Sequence, residues 1–328
     1  MKVLVIGGAG YLGSNLCLEL NNLGHDFAII DDFKNAHKSN IERLSKAISK
    51  QISYFEGDAC DKEFLDSVCR KYCPDYIVHY ANKKYIPDSL ENSLDYYENN
   101  LVSTINVLRV CEKQNINGLL FASSIAVYAD SKTKIKEDYE REFSSPYAKT
   151  KIMAEEIITD WQKNNPDKSV IITRYTNPVG ASNCGLGDRP LTENINVLPY
   201  LINKVRDGGE IVINGGNFPT RDGSAVRDFI HVTDLAKITA TLITNYNEKD
   251  TLVVNVGTGG EGYSVKELIE AISNVLNKEI SFTFNKNGNV GKCDIKIDTS
   301  KLKDKFVVNI GHGLVDIIKS QIDLKQED

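Results

Sequence analysis

The sequence predicts an α/β fold, a doubly wound parallel sheet with a smaller α/β lobe after it. Two observations predict it. Short β-rich runs alternate with helical patterns through the first half of the chain, and several of those runs are apolar throughout, as strands buried on both faces are. The runs are "KVLVI" (2–6), "FAIID" (27–31), "ISYFE" (52–56), "YIVHY" (76–80), "GLLFAS" (118–123) and "SVIITRY" (169–175). Between them lie the helical stretches "YLGSNLCLELNNLG", "KEFLDSVCRKY", a long segment from about Pro87 to Gln114, and the segment opened by "SSPYAKTKIMAEE". In that last stretch Ser145 suits an N-cap and Pro146 the first helical position, so a helix is expected to start there. Tyr147 and Lys151 then share one helix face, a spacing that by itself also fits a solvated surface.

The first helix is expected to follow a glycine-rich turn. "VLVIGGAGYLGSNL" puts Gly7, Gly10 and Gly13 directly after the first strand and at the start of a helix. Such glycines let the backbone turn tightly and approach a pyrophosphate, whose charge sits at the helix N-terminus. Asp31 ends the second strand, at the spacing of an acid that binds the adenosine ribose. An acid there hydrogen-bonds a ribose diol and repels a 2′-phosphate, so NAD is expected over NADP. Asp32 strengthens the repulsion, and Lys34 acts the other way. This is the dinucleotide fingerprint of a Rossmann-type domain.

After about residue 176 the texture changes. "TNPVGASNCGLGDRPLTENIN" and "NGGNFPTRDGSAVRD" are long turn-rich loops, and long loops in a compact domain are usually functional. Residues 1–176 are therefore expected to form the NAD-binding domain and 177–328 mainly a substrate-binding lobe, with a segment near 225–255 returning to the first domain.

Composition narrows the function. The chain is 41% hydrophobic and 26% charged with a net charge of −6, that of an ordinary soluble protein. With no long basic run, nucleic-acid binding is not expected, and no segment reads as a signal peptide or membrane span. The seven cysteines form no C-x-x-C pair, which suggests reduced thiols and a cytoplasmic location. Cys69 and Cys73 lie one turn apart without a nearby histidine, so no metal is expected.

The fifth strand runs into "SSIAVY", which brings Ser123 and Ser124 to the end of the sheet. Together with "GGAGYLGSN", "FEGDACD", "LDYYENNLVST", "SSPYAKTK", "RYTNPVGA", "VLPYL" and "AVRDFIHVTDLA", the chain resembles the extended short-chain dehydrogenase/reductase family over nearly its whole length. Within that family it is similar to the nucleotide-sugar 4-epimerases that act on UDP-galactose. The resemblance implies an NAD-dependent enzyme that interconverts an NDP-hexose and its C4 epimer, most simply UDP-glucose and UDP-galactose or their N-acetyl forms, through a 4-ketose. It implies tightly held NAD, regenerated in each turnover, and a homodimer through the helices near 87–114 and 146–163.

The resemblance also assigns residues. Tyr147 would take the proton of the sugar 4-hydroxyl, Ser124 would hydrogen-bond that oxygen, and Lys151 would hold the nicotinamide ribose. A free phenol has a pKa of about 10, so the lysine ammonium and the nicotinamide charge are expected to lower it. Tyr11, Leu12, Asn35, Asp58, Ala59, Tyr80, Ala81, Lys84, Asn99 and Tyr175 would line the cofactor. Lys84, Asn177, Asn196, Val197, Asn214 and Arg227 would face the nucleotide sugar, Arg227 pairing with the diphosphate. His79 and His231 read as core histidines.

One stretch departs from the family. Before "DTSKL" (298–302) the family carries an R-x-G-D-like segment, and "NKNGNVGKCDIKI" has neither the Arg nor the Gly-Asp pair. Lys286 or Lys292 would have to supply its charge, and Asn214 stands where the family often has an aromatic. The alternatives are sister enzymes on nucleotide sugars, namely dehydratases, decarboxylases or dehydrogenases, and a non-catalytic NAD-binding sensor. The dehydratases need an Asp-Glu pair where this chain has Ile125 and Ala126, and the sensors tend to lose the Tyr or Lys kept here.

Overall fold

The computed structural model describes residues 1–189, 196–286 and 292–324. Its strands are β1 (Lys2–Ile6), β2 (Asp26–Asp31), β3 (Ser53–Glu56), β4 (Tyr76–His79), β5 (Gly118–Ser124), β6 (Ser169–Tyr175), β7 (Asn177–Val179) and β8 (Val212–Asn214). Then come β9 (Val226–Arg227), β10 (Phe229–His231), β11 (Thr251–Val256), β12 (Tyr263–Ser264), β13 (Thr283–Asn285) and β14 (Asp294–Ile295). The helices are α1 (Tyr11–Asn22), α2 (Ser39–Ile48), α3 (Lys62–Tyr72), α4 (Ile86–Glu91), α5 (Ser93–Lys113) and α6 (Pro146–Asn164). They continue as α7 (Val197–Asp207), α8 (Val232–Asn245), α9 (Val265–Leu276), α10 (Ser300–Lys305) and α11 (Leu314–Ile322). Among the described residues no helix is long and apolar enough to cross a membrane.

The chain divides into two compact units. The first comprises Met1–Ala129, Glu140–Tyr175 and Ala236–Val254, and the second Asp130–Tyr139, Thr176–Leu235 and Asn255 onward. A seven-stranded parallel sheet in the order β11-β6-β5-β4-β1-β2-β3 forms the spine of the first unit. Each of the six strands expected from the sequence is present, with ends shifted by at most one residue. Register aligns Ile6 with both Ile30 and His79, and Ser124 with Tyr175. Because the strands are parallel, Gly7, Asp31, Tyr80, Ser124 and Tyr175 all emerge at one edge of the sheet, where a doubly wound fold places its ligand. Leu4, Ile6, Ile30, Ile77, Phe121, Ile158, Val170 and Ile172 pack the core around these strands. Burying each such side chain stabilises the fold by roughly 1.5–3 kcal/mol relative to exposure.

Three elements differ from the sequence reading. The helix expected over about 87–114 is two, interrupted at Asn92, whose backbone (φ −118°, ψ 49°) leaves the helical region while its side chain donates to Asp88 Oδ1 at 2.8 Å. α2 and β11 were not assigned from sequence. "TLVVNV" is short and preceded by a charged turn, and only pairing along β6 marks it as a strand.

The second unit has its own core. Leu198, Leu201 and Ile202 of α7 pack with Leu268, Ile269 and Ile272 of α9, Ile317 and Ile318 of α11, and Phe229. Its sheets are small, pairing β7 with β10, β8 with β13, and β9 with β12 and β14.

Candidate active site

The glycine turn leaves no room for a side chain at Gly7 or Gly13. Gly7 has φ +81°, and a Cβ on it would lie 2.8 Å from the Ala81 nitrogen. A Cβ on Gly13 would lie 2.3 Å from the Gly7 oxygen and 2.6 Å from Gly8 Cα. Gly10 caps α1 without a side chain, and the first turn, beginning with Tyr11 and Leu12, carries no acid. The N–H groups of that turn lie at the positive end of the helix, and no acidic side chain of the turn itself caps them. Asp31 accepts the Ala9 N–H at 3.0 Å through Oδ2 and the Phe33 N–H at 3.0 Å through Oδ1, which fixes its carboxylate at the strand end. Burial pushes this carboxyl up while those amides pull it down. This donor set fits a dinucleotide, with backbone N–H groups for a diphosphate and a held carboxylate for a diol.

Around Asp31, Lys34 bridges Asp32 at 3.0 Å and Asp58 at 3.1 Å. Burial pushes the Asp58 carboxyl up, but the Cys60 amide and Lys34 outweigh it and hold the group below the usual carboxylate range. Ala59 is buried beside it, and Asn35 lies on an exposed bend. Tyr80 and Ala81 leave β4 with both N–H groups donated to the Ile6 carbonyl, at 2.8 and 3.1 Å. The Tyr80 hydroxyl meets the Tyr175 hydroxyl at 3.2 Å, and that of Tyr175 meets Thr239 Oγ1 at 2.9 Å. Asn99 accepts the Lys83 N–H at 3.2 Å, and Lys84 is exposed.

Ser124, Tyr147 and Lys151 come together. Ser145 Oγ accepts the Ala148 N–H at 3.1 Å, so the cap expected from sequence forms and sets the first turn of α6. Tyr147 and Lys151 face inward at 8% and 4% exposure, which rules out a solvated helix face. Ser124 caps the short 3₁₀ turn Ile125–Val127, its Oγ accepting the Ala126 N–H at 3.2 Å. The hydroxyl proton is thereby directed elsewhere, and Ser124 hydrogen-bonds the Tyr147 phenol. Lys151 Nζ lies 5.9 Å from the Tyr147 ring centroid and 4.6 Å from that of Phe121.

The electrostatics add burial to the two charges named from the sequence. Burial pushes the Tyr147 phenol up, and the opposing pull comes from Ser124. Lys151 is itself so desolvated that its pKa falls to about 7, with Glu155 pulling the other way. Near neutral pH the lysine divides between charged and neutral forms, so it favours the phenolate less than a hydrated ammonium one turn away would.

Sequence reasoning missed Asn82. Lys151 Nζ donates to Asn82 Oδ1 at 2.7 Å and to the Ala122 carbonyl at 2.5 Å. The signal was its place: Asn82 follows β4 on the same sheet edge as Gly7 and Ser124. His79 is a core histidine as expected, 1% exposed, and burial lowers its pKa to about 3 with Lys151 adding to the effect. Glu155, one turn beyond Lys151, was also missed. It accepts Ser123 Oγ at 2.5 Å and Arg174 through both oxygens.

In the second unit, Asn177 opens β7 with its Oδ1 buried and without a hydrogen-bond partner among the described residues. Asn196 precedes Val197 at the start of α7 and donates to Asp188 Oδ2 at 2.6 Å. Asn214 ends β8, exposed, and accepts Asn285 Nδ2 at 3.2 Å. Arg227 lies half-buried in β9 and donates to the Val226 carbonyl at 2.8 Å. Burial pushes its guanidinium down, with Cys293 and Asp294 pulling it up. His231 is buried and accepts the Thr233 N–H at 3.1 Å. Of the divergent stretch, Lys286 and Lys292 are described, and residues 287–291 lie outside the described residues. Among the described residues, no group of three or more His, Cys, Asp or Glu side chains is arranged to hold a metal ion.

This arrangement has relatives. The UDP-glucose 4-epimerase of Bacillus subtilis (strain 168) is 34% identical over 299 residues, 89% of this chain and 88% of that protein. The UDP-glucose 4-epimerase of Caenorhabditis elegans is 36% identical over 297 residues, covering 85% and 84%. Among solved structures, UDP-glucose 4-epimerase from Bifidobacterium longum in complex with NAD+ and UDP superposes with a TM-score of 0.92 at 32% identity, over 99% of this chain and 98% of that one. Residues 3–257 match the NAD dependent epimerase/dehydratase family. With a match over that span, and relatives this similar along most of their length, the chain belongs to the NAD dependent epimerase/dehydratase family.

Proposed function

We propose that the protein is an NAD-dependent nucleotide-sugar 4-epimerase, interconverting UDP-glucose and UDP-galactose or their N-acetyl forms. The observation that carries this reading is the meeting of Ser124, Tyr147 and Lys151 in one buried site at the sheet edge. NAD, when bound, supplies a hydride acceptor for the sugar C4 and a hydride donor for its return. The α1 N-terminus and the glycine cradle would hold its diphosphate, Asp31 its adenosine ribose, and Lys151 its nicotinamide ribose.

Tyr147 Oη takes the proton of the sugar 4-hydroxyl and later returns it to the same oxygen. Ser124 has a single hydroxyl proton, donated to the phenolate before the transfer and to the sugar oxygen after it, so it stabilises the charge in each place in turn. Inverting C4 requires the ketose to turn over, so the anchor must be the nucleotide diphosphate. Arg227 suits that group, and Asn177, whose Oδ1 has no partner among the described residues, offers an acceptor for a hydroxyl or imide of the nucleotide sugar. The first unit is assigned the cofactor and the second the nucleotide. Ile125 and Ala126 cannot move protons at C5 and C6, which speaks against a dehydratase.

A homodimer through α4, α5 and α6 is part of this reading. Leu90, Leu94, Val102 and Met153 expose 57%, 79%, 38% and 36% of their surface on these helices, an apolar area that a second copy would cover. The seven unbridged cysteines fit a reducing cytoplasm. Incubation with UDP-glucose, UDP-galactose and their N-acetyl forms, read by proton NMR, tests the activity. No turnover of any of them with NAD supplied removes the proposal.

A further inference from the structure

We propose that Asn82 is the positioning residue for Lys151, an amide held between the end of β4 and helix α5 that aims the lysine at Tyr147 and the nicotinamide ribose. The inference rests on the 4-epimerase reading of the site.

The orientation of the amide follows from its neighbours. Asn82 Nδ2 lies 2.6 Å from the Ala81 carbonyl oxygen, 3.4 Å from His79 Nε2 and 3.5 Å from Ser103 Oγ. Turning the amide over would set its oxygen against a carbonyl and its NH2 against an ammonium, so Oδ1 must face Lys151. His79 is buried and kept neutral, so no second cation competes for the amide from behind. An ammonium has three donors, and two go to Asn82 Oδ1 and the Ala122 carbonyl. These two acceptors fix the direction of the third donor.

The other groups facing Lys151 are Tyr147 and Glu155 on α6, the Phe121 ring on β5, and His79 at the end of β4. Glu155 is already held by Arg174 and Ser123, so its charge is largely balanced where it lies. Asn82 is thus the side chain whose dipole acts directly on the ammonium and opposes its desolvation. Asn99 and Asn100 hold the same loop instead, accepting the Lys83 N–H at 3.2 and 2.8 Å.

The test is a titration of Lys151 in the purified holoenzyme carrying 13Cε-labelled lysine, assigned with Lys151→Arg, together with kcat and KM for UDP-galactose. Asn82→Ala is expected to lower the Lys151 midpoint by about one pH unit and kcat at pH 7 about tenfold, with KM within about twofold. Asn82→Asp is expected to raise the midpoint and return kcat toward the wild-type value. An unmoved midpoint in Asn82→Ala with an unchanged melting temperature would overturn the proposal and reduce Asn82 to a loop brace. Should Asn82→Ala fail to fold, Asn82→Asp decides alone, since a midpoint that does not rise also overturns it. A shifted midpoint in a protein that turns over no nucleotide sugar supports the role of Asn82 and removes the epimerase reading instead.

Discussion

Glu155 and Arg174 form a bidentate ion pair, Nε to Oε1 at 3.0 Å and Nη2 to Oε2 at 2.6 Å, with both side chains at 5% exposure or less. The pair joins α6, which carries Tyr147 and Lys151, to β6. Through Ser123 it also reaches the end of β5, beside Ser124. Arg174 continues to the Tyr128 hydroxyl at 2.9 Å, so the buried charges have further hydrogen bonds. Removing one charge leaves the other buried and uncompensated. Glu155→Gln is therefore expected to destabilise the protein by about 3–5 kcal/mol, measured by urea unfolding. A loss within about 1 kcal/mol would show that the pair is not a keystone of the first unit.

Tyr147→Phe removes one oxygen and keeps the ring in its buried place. Turnover is expected to fall by at least about 10²–10⁴-fold, the range for a positioned acid-base group. Bound nicotinamide, read by absorbance after denaturation, is expected to stay at the wild-type level. Loss of the cofactor along with activity would make the tyrosine a structural element of its site.

Gly13→Ala and Gly10→Ala form a graded pair. The Gly13 Cβ would meet backbone at 2.3 and 2.6 Å, whereas the Gly10 Cβ meets only the Gly7 oxygen at 3.2 Å. Backbone must move in the first case and little need move in the second. Purified Gly13→Ala is expected to carry almost no NAD and to melt lower, while Gly10→Ala keeps most of its cofactor. Equal retention by both variants would mean that close packing of this turn does not govern binding.

His79 ties stability to pH. Its folded pKa of about 3 lies below the unfolded value of about 6.5, so the unfolded chain binds more protons between those limits. The stability is fully present above pH 6.5 and is lost as pH falls toward 3, by about 2 kcal/mol at pH 5. Lys151 acts in a separate window, since its depressed pKa of about 7 makes the fold gain stability as pH rises from there toward 10.5. Urea unfolding at pH 7 and pH 5 measures the His79 effect, and His79→Leu is expected to flatten the difference. An unchanged difference in that variant would place the acid sensitivity elsewhere.

The amino-acid order by itself determined the strand-helix alternation, the glycine turn, the acid at the end of β2 and the cap of α6, because each depends on neighbours a few residues apart. Its periods missed α2 and β11 and did not show the break at Asn92. Two properties of the site were decided only by the tertiary structure. Asn82 and Lys151 are 69 residues apart and meet because β4 and β5 pair in parallel beneath α6. The charge balance of Tyr147 and Lys151 depends on how much water the folded chain excludes, and burial adds an upward push on the phenol that spacing alone does not report. Spacing along a chain reports which groups share a face, whereas solvation and long-range partners exist only once the chain has closed around them.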